Sequence, residues 1–504
     1  MSEQQAVKKQ FIFIMTDSQR RDMISRLNER GENMHTPSLD KLCAQGLSFQ
    51  AAYTTQPVCG PARAGLFTGT YPHTNGMLGN SMALSPHVRT IGQRLSAEGI
   101  HTAYIGKWHL DGGDYYGDGI CPEGWDKDYW YDMRNYLDEL SEEDRIRSRK
   151  LTTALTGEGI TEDFTFAYRC TQRAIDFIEK HKDEDYLLVL SYDEPHDPYL
   201  SPKHFYEPFY ERRLKKENQY MDFGSLPPHV QVWHERFKDL DLESDYGLGL
   251  LGANSYVDSQ IGRVLDAAEK DAPQALLLYT SDHGESHGSH GIFSKGPAMY
   301  EEIANIPLII RWKDKVKADI STEMPVSHID LVPTILEYFE MERPESLEGV
   351  SLLSELQNPD ISEKKENRPV FIEFNRYEID HDGFGGYQPV RAVVKGKWKL
   401  TVSLLSSDEL YHLADDPEEM KNLIHSEEHK VIRDELHDLI LEWQNQTRDP
   451  MRGYYWEARP WRTDRQNVTW NCGGYARRRH REKGEVGEID YSTGLPITEY
   501  ARKY

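Results

Sequence analysis

The chain has 504 residues, too many for one small core and enough for a large α/β domain with a smaller companion. Its mix of apolar and charged residues is that of a soluble folded protein, which excludes a disordered chain. With 59 basic and 84 acidic residues the formal net charge is −25. That balance argues against nucleic acid or an anionic membrane as partner, so an anionic substrate needs a local basic pocket.

Taken in chain order, Met1 to Gln10 is polar and the first apolar run, Phe11–Met15, is five residues long. That is too short for a secretory leader or a membrane span, and it reads as a buried strand. Cys43, Cys59, Cys121, Cys170 and Cys472 are odd in number and show no paired spacing, so reduced thiols and a cytoplasmic location are expected. Strands are predicted at Phe11–Met15, His101–Ile105, Tyr186–Tyr192, Ala275–Thr280 and Pro307–Trp312. Helices are predicted at Thr36–Gly46, Thr90–Gly99, Phe164–Lys182, Gly249–Lys270 and His328–Met341. The alternation predicts an α/β fold: a large mixed, mostly parallel sheet sandwiched by helices. The charged stretch Asp138–Lys150 reads as a solvated surface helix.

Three strands run straight into polar clusters: Thr16-Asp17-Ser18-Gln19, Asp193-Glu194-Pro195-His196 and Ser281-Asp282-His283-Gly284. In parallel sheets reactive groups collect past the C-terminal strand ends, so these clusters are expected to share one site. After about residue 368 the pattern changes. Val370–Phe374 and Val390–Val402, with a turn at Lys395-Gly396-Lys397, suggest antiparallel strands, and Glu427–Gln446 a helix. The expected organisation is a catalytic domain over 1–368, a smaller C-terminal α+β domain with an antiparallel sheet over 369–448, and an aromatic and arginine-rich extension over 449–504. Such an extension favours packing within the subunit or against a neighbour, which suggests a homo-oligomer.

The most informative segment is Pro57-Val58-Cys59-Gly60-Pro61-Ala62-Arg63, followed by Leu66-Phe67-Thr68-Gly69. A Cys at a strand-to-helix junction, with Pro61 near the first helical turn, sits where backbone N–H groups favour an anion. Arg63 can aim a bidentate fork at the same anion. Cys59, Pro61 and Arg63 match Cys-x-Pro-x-Arg, and the sequence resembles the formylglycine-dependent sulfatases of the alkaline phosphatase-like superfamily. Thr16-Asp17, Gly106-Lys107-Trp108-His109-Leu110, Pro195-His196-Asp197-Pro198, Ser281-Asp282-His283-Gly284, Lys295 and Tyr300-Glu301-Glu302 follow in the family's order. Later, Glu409-Leu410-Tyr411-His412-Leu413 resembles the family's C-terminal domain.

The resemblance implies that a maturation enzyme oxidises Cys59 to formylglycine. It also implies one divalent cation, most often calcium, at Asp17, Asp282, His283 and residue 59. Hard oxygen donors suit calcium or magnesium, and the imidazole leaves room for manganese or zinc. Many family members carry a second Asp where this chain has Ser18, and Asn where it has His283. Gln19 offers a neutral oxygen nearby. Arg63, Lys107 and Lys295 are implied to contact the sulfate or the hydrated aldehyde. His109 is implied as base and His196, with Lys295, as acid at the leaving oxygen, both suited by the imidazole pKa.

The substrate is less legible. The stretch Tyr199 to Tyr246, with Phe205, Tyr206, Phe209, Tyr210, His229, Trp233 and His234, can wall a pocket, although core packing is the plainer reading of most of these residues. Asp111, Asp114, Tyr115, Tyr116, Asn375 and Arg376 are further candidates for its lining. A small sulfated carbohydrate is the expected substrate. A phosphonate monoester or phosphodiester hydrolase of the same superfamily, and a non-catalytic sulfate-sugar-binding homologue, are the alternatives.

Overall fold

The computed structural model describes residues 8–29, 33–112, 115–150, 157, 159–210, 217–239, 245–357, 367–375 and 387–462. Asp114, Arg376, Cys472 and the extension over 463–504 lie outside them. The described residues up to Trp456 make one compact unit; Glu457 to Arg462 belong to a second.

The strands are β1 Gln10–Thr16, β2 Leu47–Phe49, β3 Ala52–Tyr53, β4 His101–Gly106, β5 Tyr186–Ser191, β6 Leu276–Ser281, β7 Leu308–Arg311, β8 Ile320–Thr322 and β9 Val326–Ser327. The antiparallel group is β10 Val370–Phe374, β11 Val390–Lys395, β12 Trp398–Ser403 and β13 Glu409–His412. Seven strands form the main sheet in the order β4-β5-β1-β6-β7-β2-β8. The first four are mutually parallel, β7 runs antiparallel to β6 and β2, and β8 is parallel to β2. The predicted mixed, mostly parallel sheet is therefore present, and the helices cover it on two sides.

The central strand shows why. Every residue of β1 is buried, as expected of a strand covered on both faces. Phe11, Phe13 and Met15 enter one hydrophobic cluster, Ile12 and Ile14 another. This period-2 division places one core layer on each side of the sheet. On the second side lie Phe166–Lys180 and the long helix Asp245–Asp271. Cys170, Ala174, Phe177 and Ile178 pack there with Tyr256, Val257, Ile261 and Val264.

The second sheet, β10-β11-β12-β13, is antiparallel throughout. Helix Lys430–Gln446 packs on β11 and β12. The sheet is joined to the main body by polar bonds: His73 N donates to Glu373 Oε1 at 2.8 Å, and Lys399 Nζ lies 2.8 Å from Glu301 Oε1. Among the described residues no helix is long and apolar enough to cross a membrane.

Candidate active site

The C-terminal ends of β1, β4, β5 and β6 deliver Asp17, Lys107, Asp193 and Asp282 side by side. The close approach of β4 to β5 depends on Gly106. Its φ is +117°, and an added Cβ would lie 1.8 Å from the Ser191 carbonyl oxygen, so only glycine fits.

Opposite these ends stands helix Cys59–Thr68, every residue of which is buried. It has no polar face because the protein surrounds it. Val58 enters it in an extended conformation, and Gly69, at φ +71°, closes it in the left-handed region. Cys59 occupies the first turn, as the sequence implied. The adjacent Gly60 N–H is already committed, donating to Asn80 Oδ1 at 2.9 Å. Asn80 was not identified from sequence, because it lies in an irregular loop with no periodicity to mark it.

Arg63 binds the site together from within. Its Nε donates to Asp282 Oδ2 at 3.0 Å, and Nη2 to Asp17 Oδ2 at 2.9 Å. Nη1 donates to Lys107 O at 2.6 Å and Ser191 Oγ at 2.8 Å. Four of its five N–H groups are thereby used on the protein. Lys107 Nζ lies 2.8 Å from Asp17 Oδ2, 3.2 Å from Asp193 Oδ1 and 3.8 Å from the Tyr115 ring centroid. Burial opposes charge on Asp17, but Lys107, then His196 and Arg63, outweigh it and hold the carboxyl well below its usual range. Burial, and then the neighbouring Asp17 charge, push Asp282 up to about 7.

With their Oδ2 atoms taken by Arg63, Asp17 and Asp282 present their Oδ1 atoms to a common point. His283 Nε2 is 3.9 Å from Asp17 Oδ1, 3.8 Å from Asp282 Oδ1 and 3.2 Å from Cys59 Sγ. His283 Nδ1 is 2.7 Å from Gly284 O. A proton on Nδ1 satisfies that carbonyl and leaves the Nε2 lone pair for a ligand. One donor atom from each of Asp17, Cys59, Asp282 and His283 lies within 4.8 Å of the others, and all four residues are buried. Two carboxylate oxygens crowded together beside an oriented imidazole fit a divalent cation, whose charge relieves their repulsion. Ser18 Oγ donates to Asp17 Oδ1 at 2.9 Å, so this hydroxyl steadies that oxygen without adding charge. Gln19 does not join. Its amide nitrogen donates to Asn254 Oδ1 at 2.6 Å, and its oxygen accepts from the Tyr279 hydroxyl.

The proton-transfer candidates flank residue 59. Lys295 Nζ is 2.9 Å from Cys59 Sγ and 3.2 Å from His196 Nε2. Burial would lower the His196 pKa, but Asp197, 2.8 Å from Nδ1, outweighs it and pushes the imidazole up. Asp197 is itself half-exposed, so water screens part of that pull. His109 is shifted the other way. Burial lowers it, a hydrogen bond to Cys59 only partly offsets this, and the imidazole is neutral near pH 7. His109 Nδ1 has no partner among the described residues.

The structure therefore brings together all nine sequence-derived residues: Asp17, Cys59, Arg63, Lys107, His109, His196, Asp282, His283 and Lys295. It adds Asn80, and it draws in Asp193 from the expected polar cluster and Tyr115 from the expected lining, whose hydroxyl reaches Asp193 and lies 3.3 Å from His196 Nδ1. The stretch expected as a solvated helix at Asp138–Lys150 contains the helix Glu142–Arg149, but its last residue turns inward. Arg149 Nη1 is 3.5 Å from Asp193 Oδ2, and its guanidinium lies over Tyr115. The aromatic stretch buttresses the loop that carries Lys295. Trp233 Nε1 donates to Phe293 O at 3.0 Å, and ring nitrogens of His229 and His234 approach Pro297 O and Gly291 O at 2.9 and 2.7 Å.

Comparison with known proteins gives the family. The family profile described as Sulfatase matches residues 9–341, and one described as N-sulphoglucosamine sulphohydrolase, C-terminal, matches residues 288–446. The chain is 41% identical over 500 residues to the uncharacterized sulfatase YidJ of Escherichia coli (strain K12), covering 96% of each chain. A protein solved in complex with its substrate D-glucosamine-2-N,6-O-disulfate has a TM-score of 0.70 at 22% identity, over 88% of this chain and 99% of that one. The phosphonate monoester hydrolase of Agrobacterium radiobacter has a TM-score of 0.74 at 19% identity, over 87% and 96%. These two share the fold. The chain belongs to the sulfatase family, the sulfuric ester hydrolases of the alkaline phosphatase-like superfamily.

Proposed function

We propose that the protein hydrolyses the sulfate ester of a small sulfated carbohydrate, with residue 59 as the nucleophile-bearing position after conversion of Cys59 to formylglycine by a maturation enzyme. The observation that carries this reading is the placement of Cys59 Sγ among Lys295 Nζ, His283 Nε2 and Asp17 Oδ1, at 2.9, 3.2 and 3.7 Å. The formylglycine that sulfatases generally use supplies, as its hydrate, an oxygen nucleophile and a second hydroxyl whose deprotonation restores the aldehyde. A divalent cation, calcium in the first instance, would be held by Asp17 Oδ1, Asp282 Oδ1, His283 Nε2 and residue 59, and supplies Lewis acidity there.

The chain's own groups account for the remainder. Lys107 and Lys295 provide the positive potential that the acidic surface lacks, and so stabilise charge on the sulfuryl oxygens. Lys295 spans residue 59 and His196, which places the imidazole to protonate the leaving alcohol oxygen as its bond to sulfur breaks. Neutral His109, which is hydrogen-bonded to residue 59, accepts a proton. Arg63 holds both carboxylates and the Lys107 backbone in register.

A sugar substrate is supported by the C-terminal match to the N-sulphoglucosamine sulphohydrolase profile and by the glucosamine disulfate bound to a structural neighbour. The test is release of inorganic sulfate from glucosamine 6-sulfate and N-sulfate, run beside an aryl phosphonate monoester. The high TM-score to a phosphonate hydrolase keeps that second reading in view. A higher kcat/KM on the phosphonate than on every sulfate ester would replace the proposal with it.

A further inference from the structure

At the opposite end of the parallel strands, one strand length or about 20 Å from the catalytic cluster, His101 opens β4. His181 caps the helix Phe166–Lys180, and Glu184 lies in the short turn before β5. One ligand atom of each lies within 4.8 Å of the others. Glu184 is the shared partner: His101 Nδ1 is 2.9 Å from its Oε2, and His181 Nδ1 is 3.0 Å from its Oε1. The two imidazoles stand at 89° with centroids 4.4 Å apart. Each ring is also held from behind. His101 Nε2 is 2.7 Å from Asp126 Oδ2, and His181 Nε2 is 3.0 Å from the Tyr129 hydroxyl.

This is the arrangement that metal-binding histidines adopt: one ring nitrogen faces the ion, and the other donates its proton to a carboxylate or hydroxyl. Without an ion, both nitrogens of His101 face carboxylates, Nδ1 that of Glu184 and Nε2 that of Asp126. With an ion, the proton sits on Nε2 toward Asp126, and the Nδ1 lone pair is free. His101 and His181 are about one-fifth exposed and Glu184 about half, so an ion from solvent has access.

We propose that His101, His181 and Glu184 form a second metal site, for a zinc-class divalent ion, separate from the catalytic cluster. Two imidazole nitrogens and one carboxylate, with a fourth position open to water, are a zinc donor set and a poor one for calcium. The ion clamps the start of β4 to the connection that leads into β5.

The experiment titrates metal-free, full-length protein with Zn2+ alone, by calorimetry and by melting temperature, beside His181→Asn and Glu184→Gln. Zinc taken up by the catalytic cluster is common to all three and cancels. The wild type is expected to bind one more Zn2+ per chain than either variant and to gain more in Tm, while sulfatase turnover in calcium is the same in all. Equal zinc counts and equal Tm shifts in the three proteins would overturn the proposal and leave the cluster as an ion-pair network. The second variant preserves the test if the first fails to fold.

Discussion

Replacing Arg63 with Met is predicted to damage the fold as much as the chemistry. The guanidinium is fully buried and makes four hydrogen bonds, two of them to the carboxylates of Asp17 and Asp282. Removing it leaves Asp17 Oδ2 with Lys107 and takes the guanidinium from Asp282 Oδ2. Breaking a buried pair by deleting one partner costs about 3–5 kcal/mol. Arg63→Lys keeps the charge and loses the fork, so its loss should fall between wild type and Met. Urea unfolding of the three proteins in chelator gives these differences, and sulfate release gives the catalytic effect. The reasoning is refuted if Arg63→Met unfolds within about 1 kcal/mol of wild type while turnover collapses. That result would make the guanidinium a substrate ligand that the fold does not need.

Other outcomes follow from the same structure. Trp233→Phe removes the donor to Phe293 O, and the loss of that hydrogen bond costs about 0.5–1.5 kcal/mol. It should loosen the Lys295 loop and lower kcat by several-fold with the metal content unchanged; an unaltered kcat would show that His229 and His234 hold the loop without it. Burial pushes Glu194 up to about 8, so the folded state binds its proton more tightly than the unfolded one. Its stabilisation is full below about pH 4.5 and is lost as pH rises through 8, a swing of about 4–5 kcal/mol. Glu194→Gln, which mimics the protonated acid, should therefore unfold with a smaller loss of stability between pH 5 and 9 than wild type; parallel pH profiles would contradict this.

The parts of the fold legible in the sequence were those with continuous apolar runs. β1, β4, β5, β6 and β7 announced themselves because both faces of the sheet are covered. β2 and β8 are three residues each, too short to carry a period, and they appear only once β7 has turned antiparallel. Helix Cys59–Thr68 has no amphipathic stripe, because it is buried all round, and only its Cys-Gly-Pro start marked it. Asp17, His196, Asp282 and His283 were legible for a related reason: they follow the ends of parallel strands, so strand prediction and polar clusters coincide, whereas Lys107, His109 and Lys295 were marked only by the family resemblance. Asn80 lies in an irregular loop, and Arg149 ends a helix whose charge pattern reads as solvated, so local sequence gave no sign that they face the site; Tyr115 was marked as lining only by its place just after His109. One partner of Gln19 is Asn254, 235 residues away, which only the tertiary fold reveals.

The central claim is tested most directly by the mass of the peptide spanning residue 59 in protein from a host with a maturation enzyme. A thiol converted to an aldehyde lowers that mass by about 18 Da, and the account predicts that sulfate release rises in proportion to the converted fraction. Active protein in which residue 59 remains an unmodified cysteine would contradict it.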